Sequence, residues 1–275
     1  MLENPASALR FSRLLLTGAA GGLGRELRPR LKRYCDTLRL SDMRALEPAQ
    51  AAAGEEIELC ALEDASAVMQ LVEGVEAIVH MGGVSTEQPW APILAANIVG
   101  VVNLYEAARK QGVKRVVFAS SNHVMGFYRQ DQVVDALSPP RPDGFYGLSK
   151  AFGEDVAQMY WDRWGIETVS LRIGSSFPEP RDRRMLSTWL SYDDLERLIV
   201  AALTAPVVGH SIVYGTSDNS SSWYDNRLAR HIGFRPRDSS DSYRAQVEAS
   251  QPALDLQDPA VLHQGGAFVK ATPQG

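Results

Sequence analysis

The chain has 275 residues, 45% of them hydrophobic, and 28 Lys and Arg against 33 Asp and Glu give a formal net charge of −5. That is enough length for one large domain, and a mixed, slightly acidic composition excludes a general nucleic-acid binder, which needs clustered positive charge. Two cysteines, Cys35 and Cys60, make no disulfide framework, no Cys/His cluster has zinc spacing, and no metal is expected. The apolar runs are short beside the roughly 20 residues of a bilayer crossing, so no membrane partner is expected. The opening MLENPASALRFSR has no basic region followed by an apolar stretch, which predicts no leader and a cytoplasmic location.

Along the chain, short apolar runs alternate with helical stripes. Leu14-Leu15-Leu16-Thr17 is apolar on both faces, as a central parallel strand covered by helices should be. Leu23, Leu27 and Leu31 then mark one stripe of a helix, which Pro29 should bend or weaken. Further strands are predicted at Leu38-Arg39-Leu40-Ser41, Ile57-Glu58-Leu59-Cys60, Ala77-Ile78-Val79-His80 and Val116-Val117-Phe118-Ala119. Between the last two, Pro92 to Lys110 reads as a long helix with Leu94, Ile98, Val101, Leu104 and Ala108 on its inner side. A second long helix should run from Tyr146 to Trp164, ended by Gly165, before a strand at Thr168-Val169-Ser170-Leu171.

The last third is less regular. Gly174 to Thr188 is loop-like, a helix starts near Asp193 and Asp194, Ile212-Val213-Tyr214 reads as a strand and Trp223 to His231 as a short helix. Residues 251–275 are Pro- and Gln-rich apart from Gly266-Ala267-Phe268-Val269. The β-α-β-α order gives an α/β fold with a right-handed, doubly wound parallel sheet. The chain reads as a single domain over residues 1–275, with a core over about 12–173 and a smaller substrate lobe and tail over about 174–275.

Chemistry first appears after the first strand, in TGAAGGLG, where Gly18, Gly21 and Gly24 are spaced three apart. Missing side chains let the backbone approach a pyrophosphate, and the helix start that follows offers free N–H groups and a positive dipole end. Asp42 ends the second strand 18 residues later, where a carboxylate accepts hydrogen bonds from a ribose and repels a 2′-phosphate, so NAD is favoured over NADP. Arg39 and Arg44 are the basic residues near it.

The fifth strand delivers Ser120, Ser121, Asn122 and His123 at its C-terminal end, where open α/β sheets bind ligands. Tyr146 and Lys150, four apart, share a helix face. A free phenol titrates near 10, and lowering that by about three units takes about 4 kcal/mol of phenolate stabilisation. A nearby lysine and a cationic nicotinamide ring are the groups that could supply it. Ser121 would hold the reacting hydroxyl for proton abstraction.

Together TGAAGGLG, HMGGVS, the Asn97 helix, ASSNHVMG and YGLSK resemble the extended short-chain dehydrogenase/reductase superfamily over most of the chain. The resemblance implies a Rossmann core, Tyr146 as base, Lys150 on Tyr146 and the nicotinamide ribose, and Ser121 as hydrogen-bonding partner. It also implies cofactor contacts at Leu23, Leu62 and Asn97, and a homo-oligomer. Ala61 stands where relatives often carry an Asp for the adenine amino group.

Within the superfamily, SSNHVMGFY, RPDGFYGLSK, RIGSSFPEP, RRMLSTWLS and QGGAFV resemble the uronate dehydrogenases. That likeness implies NAD-dependent oxidation of C1 of D-glucuronate or D-galacturonate pyranose to an aldarolactone. It places Ser85, Ser121, Asn122, His123, Tyr146 and Ser175 on the sugar and Arg184 on its carboxylate. Ser85 and Ser175 could instead cap loops, His123 could be a satisfied neighbour of the site, and Arg184 could share a solvated loop with Arg181 and Arg183. The alternative functions are a nucleotide-sugar epimerase or another small-sugar dehydrogenase, and an NAD(P)-sensing regulator; such sensors commonly lose the Tyr and Lys that are intact here.

Overall fold

The computed structural model describes residues 10–50 and 53–271; the first nine residues of the chain start read for a leader and the last four residues of the tail lie outside them. Phe11–Thr17 (β1) leads through the glycine turn into Gly22–Leu31 (α1), followed by Cys35–Asp42 (β2), Glu55–Leu59 (β3), Ala65–Leu71 (α2) and Ala77–His80 (β4). A long helix comes next, made of Trp90–Ile93 (α3), a π-helical segment Leu94–Val99 and Gly100–Gln111 (α4). Arg115–Ser121 (β5), Val134–Asp135 (β6), Phe145–Trp164 (α5) and Glu167–Ile173 (β7) follow. Beyond them lie Ser175–Ser176 (β8), Met185–Thr188 (α6), Trp189–Leu190 (β9), Tyr192–Thr204 (α7), His210–Gly215 (β10) and Tyr224–Asp225 (β11). Two short helices, Arg244–Ser250 (α8) and Pro259–Leu262 (α9), precede a 3-10 turn at Gly266–Lys270.

Seven strands run parallel in the order β3-β2-β1-β4-β5-β7-β10. Parallel neighbours need crossovers that cover both faces, and β1 shows the consequence. Leu14 and Leu16 join Leu27, Leu31, Leu195 and Leu198 on one face, while Leu15 points into a second cluster with Leu104, Tyr105 and Val156. The strand order reverses between β1 and β4, so the loops leaving these two strands diverge and open a crevice at their C-terminal ends. Beyond residue 174 the chain divides its work: β10 and α7 extend the sheet, while residues 175–191 and 259–271 lie toward that crevice and the segments around it.

Several local expectations change. The inner stripe of the long helix runs through buried Ile93 and Asn97, while Leu94 is 38% exposed and Ile98 only half-buried. A π turn holds about one residue more than an α turn, so it rotates everything before Gly100 by about one position relative to the expected stripe. This helix, Trp90–Gln111, has the length and mean hydropathy (1.4) to cross a membrane, which the short apolar runs did not suggest. Here Val101, Leu104, Tyr105, Ala107 and Ala108 are buried in the core instead. Pro29 does not end α1, which continues to Leu31 and then tightens into a 3-10 turn.

The helix expected over Trp223–His231 is replaced at its start by β11. Tyr224 and Asp225 pair with Val134 and Asp135, the Tyr224 ring stacks on Tyr214 at 4.5 Å, and only Arg227–Ile232 turns, as a 3-10 helix. The helix near Asp193 begins at Tyr192, capped by Ser191, whose Oγ accepts from the Asp194 N–H. Asp194 itself is fully buried, accepting from Ser217 and from the Asp238 backbone.

Candidate active site

A cleft of about 800 Å³ opens at the C-terminal ends of β1, β4, β5 and β7. At one end, the glycine turn packs against the loop after β4. Gly18 has φ +69°, and a Cβ there would lie 2.6 Å from the Met81 carbonyl group; a Cβ on Gly24 would lie 2.2 Å from the Gly18 oxygen. Only glycine fits either position. The α1 N-terminus faces the cleft through Gly22, Leu23 and Gly24, whose N–H groups have no preceding turn to donate to. Asp42 closes this end. Its Oδ2 accepts from the Ala20 N–H at 3.0 Å and its Oδ1 from the Arg44 N–H at 3.0 Å. Arg39 is turned away, donating to Glu56 and to the carbonyls of Leu71 and Glu73. Leu62 also lines this end.

The middle of the cleft holds Ser121, Tyr146 and Lys150. Ser121 ends β5, and its Oγ accepts from the His123 N–H. Tyr146 lies in the first turn of α5, whose N-terminus has no cap of its own. Glu87 reaches over from the loop after β4 instead, accepting from the N–H groups of Phe145 (3.0 Å) and Tyr146 (2.9 Å). One turn on, the Lys150 ammonium donates to the Ala119 carbonyl at 2.9 Å. Burial holds that ammonium down at about 8. Burial also pushes the Tyr146 phenol up to about 12, against a downward pull from the Ser121 hydroxyl. The protein scaffold therefore moves the phenol away from neutrality, opposite to what a base needs, because desolvating a phenolate outweighs one hydrogen bond.

At the far end, Asn122, His123, Ser175 and Arg184 line the cleft with Ser85 at its mouth. Arg184 is the member of its arginine-rich loop that faces inward; Arg181 lies over the Phe177 ring and Arg183 donates to the Glu248 and Gln251 carbonyls. Its Nε donates to the Gln264 carbonyl at 2.6 Å and its Nη1 to Ser175 Oγ at 3.4 Å, while its Nη2 is buried with no partner among the described residues. Gly266, with φ +61°, lets the tail pass there, since a Cβ would lie 2.6 Å from Arg184 Cδ. Asn122 donates to the Tyr224 hydroxyl at 3.2 Å.

Of the residues singled out from sequence, Asn97 does not line the cleft. It sits under it in the π segment, where its amide accepts from the Val84 N–H and donates to the Val84 carbonyl and Ser149 Oγ. Three residues that sequence reasoning passed over belong to the site: Glu87, Asp143 and Phe268. Asp143 Oδ2 is 2.6 Å from His123 Nδ1, and the Phe268 ring stacks on His123 with centroids 3.8 Å apart. Asp143 could have been suspected from its place three before Tyr146 in RPDGFYGLSK, and Phe268 from QGGAFV; no local spacing joins Phe268 to His123, the ring it stacks on, which comes from a distant segment.

Known proteins resemble this chain in sequence and in fold. The sequence profile of the NAD dependent epimerase/dehydratase family matches residues 14–192. A uronate dehydrogenase of Pseudomonas putida is 62% identical over 263 residues, covering 96% of this chain and 97% of its own. The crystal structure of uronate dehydrogenase from Agrobacterium tumefaciens superposes with a TM-score of 0.93 at 47% identity, over 96% of this chain and 99% of that one. A tyrosine-to-alanine mutant of that enzyme, complexed with NAD, matches with the same TM-score and identity over 96% of this chain and 100% of that one.

Proposed function

The chain belongs to the NAD dependent epimerase/dehydratase family, and we propose that it works there as a uronate dehydrogenase, oxidising the C1 hydroxyl of D-glucuronate or D-galacturonate pyranose to the aldarolactone with NAD. The observation that carries this reading is Arg184: a guanidinium fixed by Gln264 and Ser175, with a buried N–H group left over at the end of the cleft away from the glycine turn. Such a group suits a substrate carboxylate, which accepts two parallel N–H bonds.

The cofactor end fits NAD. The side-chain-free approach at Gly18 and Gly24, with Gly21 and Leu23, would hold the pyrophosphate at the α1 N-terminus. Asp42 would accept from the ribose hydroxyls, and Leu62 would lie against the adenine side. NAD, when bound, supplies the acceptor for the C1 hydride and a positive charge on its nicotinamide ring. The protein does the rest. Ser121 Oγ holds the C1 hydroxyl, and Tyr146 Oη takes its proton, so the phenol must lose its own proton first. Lys150, a buried cation one turn from Tyr146, favours the phenolate and would donate to the nicotinamide ribose. Asn97 acts by fixing the Val84 loop rather than by contact. Asn122, His123, Ser85 and Ser175 would bind sugar hydroxyls.

We read the chain as one domain, with residues 174–275 supplying Ser175, Arg184 and the tail that backs them. Buried free thiols at Cys35 and Cys60 suit a reducing cytoplasm. Exposed Leu94, Val99 and Val102 on the long helix offer an apolar face to a second copy of the chain. The test is purified protein with NAD and galacturonate or glucuronate, followed by the absorbance of the reduced cofactor. Failure to reduce NAD with either uronate would overturn the assignment.

A further inference from the structure

His123 and Asp143 form a pair that the proton bookkeeping above leaves unused. The Asp143 side chain is fully buried, with Oδ2 2.6 Å from His123 Nδ1. Three glycines crowd this carboxyl group: a Cβ on Gly126 or Gly265 would lie 1.9 or 2.1 Å from Oδ2, and one on Gly147 3.2 Å from Oδ1. They come from the turn after β5, the tail and α5, so three separate segments give up a side chain to seat this group. On the other side, Phe268 stacks on the imidazole at a 27° interplanar angle and fixes the plane of the ring. His123 Nε2 has no partner among the described residues, and the ring lines the cleft beside Arg184 and Ser175.

From this geometry we infer that Asp143 is a positioning residue that locks His123 in its Nδ1–H tautomer, so that Nε2 meets the substrate as a hydrogen-bond acceptor. A carboxylate oxygen can only accept, so the proton of the shared bond must sit on Nδ1. Burial lowers the pKa of His123 despite the pull of Asp143, so the ring is neutral at neutral pH and Nε2 carries a bare lone pair. The ligand group it selects is therefore a hydroxyl that donates, not an ether or carbonyl oxygen. With Arg184 donating to the carboxylate, the far end of the cleft reads a uronate by one donating and one accepting partner. This inference rests on the uronate reading of the cleft, but its first test needs no substrate.

That test is nitrogen NMR of protein labelled with ¹⁵N-histidine, with the His123 signals assigned by their loss in His123→Gln. Expected is a protonated Nδ1 and an unprotonated Nε2 at neutral pH; the opposite tautomer, or an imidazolium, overturns the proposal whatever the enzyme oxidises. The second test is kinetic, on Asp143→Ala and Asp143→Asn. KM for galacturonate should rise about 10-fold, the worth of one well-placed hydrogen bond, with kcat within about threefold and KM for NAD unchanged. A wild-type uronate KM in both variants, or equal loss in kcat and in NAD binding, overturns the positioning role. If the wild-type protein reduces no NAD with uronates while His123 shows the Nδ1–H tautomer, the assignment of substrate fails and the tautomer lock stands.

Discussion

Lys150 and Tyr146 lie one turn apart on α5 with no hydrogen bond between them: the ammonium stands 5.8 Å from the centre of the Tyr146 ring and is held by the Ala119 carbonyl at 2.9 Å. The lysine is thus placed as a buried neighbouring charge, while burial keeps the phenol proton on, at about 12. Because only the deprotonated phenol can accept a proton, kcat/KM for galacturonate should rise with pH from about 6 to about 9. A profile flat over that range would show that Tyr146 is not the titrating base.

Replacing Tyr146 with Phe removes the Oη and nothing from the glycine turn or Asp42. Turnover should fall by at least about 10³-fold, within the range that a positioned acid–base group contributes, while NAD affinity measured by fluorescence or calorimetry stays put. Near-normal kcat in this variant would remove the residue from the mechanism.

Arg184 should decide uronate against neutral sugar. Losing a buried partner of a carboxylate costs about 2–4 kcal/mol, so galacturonate should exceed galactose by at least about 30-fold in kcat/KM. Arg184→Ala and Arg184→Lys should erase most of that ratio and leave KM for NAD alone, since lysine cannot reproduce the fork. Saturation curves for both sugars on both proteins give the answer. A preference that survived the Ala variant would move the carboxylate to another donor.

Asp42 already accepts from the Ala20 N–H of the glycine turn, and on the proposed reading it would also accept from the ribose. Asp42→Ala should therefore raise KM for NAD and narrow the discrimination against NADP, with the uronate KM little changed. Wild-type protein that used NADP more efficiently than NAD would contradict the repulsion argument and point to Arg44, whose Nε lies 3.4 Å from Asp42 Oδ1.

Stability should respond to His80, which is fully buried with Nδ1 2.7 Å from Thr17 Oγ1. Burial holds its pKa down at about 3, against an ordinary 6.5. Between those values the unfolded chain binds a proton that the fold rejects, so this contribution is full above about 6.5 and is lost as pH falls toward 3. Burial lowers His123 and His210 too, which adds loss with the same sign. Urea midpoints should drop on acidification from about pH 6.5 to about pH 5, and His80→Asn should flatten that slope. Parallel slopes in the two proteins would refute the assignment to His80.

What the sequence determined by itself was what depends on local spacing. The strand-turn-helix at Leu14–Gly24, Asp42 at the end of the next strand, and Tyr146 and Lys150 one turn apart are each written within a few residues, because backbone sterics and the 3.6-residue period act at that range. The doubly wound sheet follows from the alternation of strands and helices with little freedom left for topology. Tertiary structure alone decided the rest. It chose Arg184 over Arg181 and Arg183 by docking the tail at Gln264 and Gly266 against it, a contact 80 residues away in sequence. It capped α5 with Glu87, seated Phe268 and Asp143 on His123, and turned Asn97 inward through a π segment. None of these has a periodic signature, since each pairs residues from distant segments whose partner is set by packing. The same packing sets the direction of the Tyr146 shift in the protein alone: the depth of burial, which only the assembled fold supplies, outweighs the downward pull of the Ser121 hydroxyl.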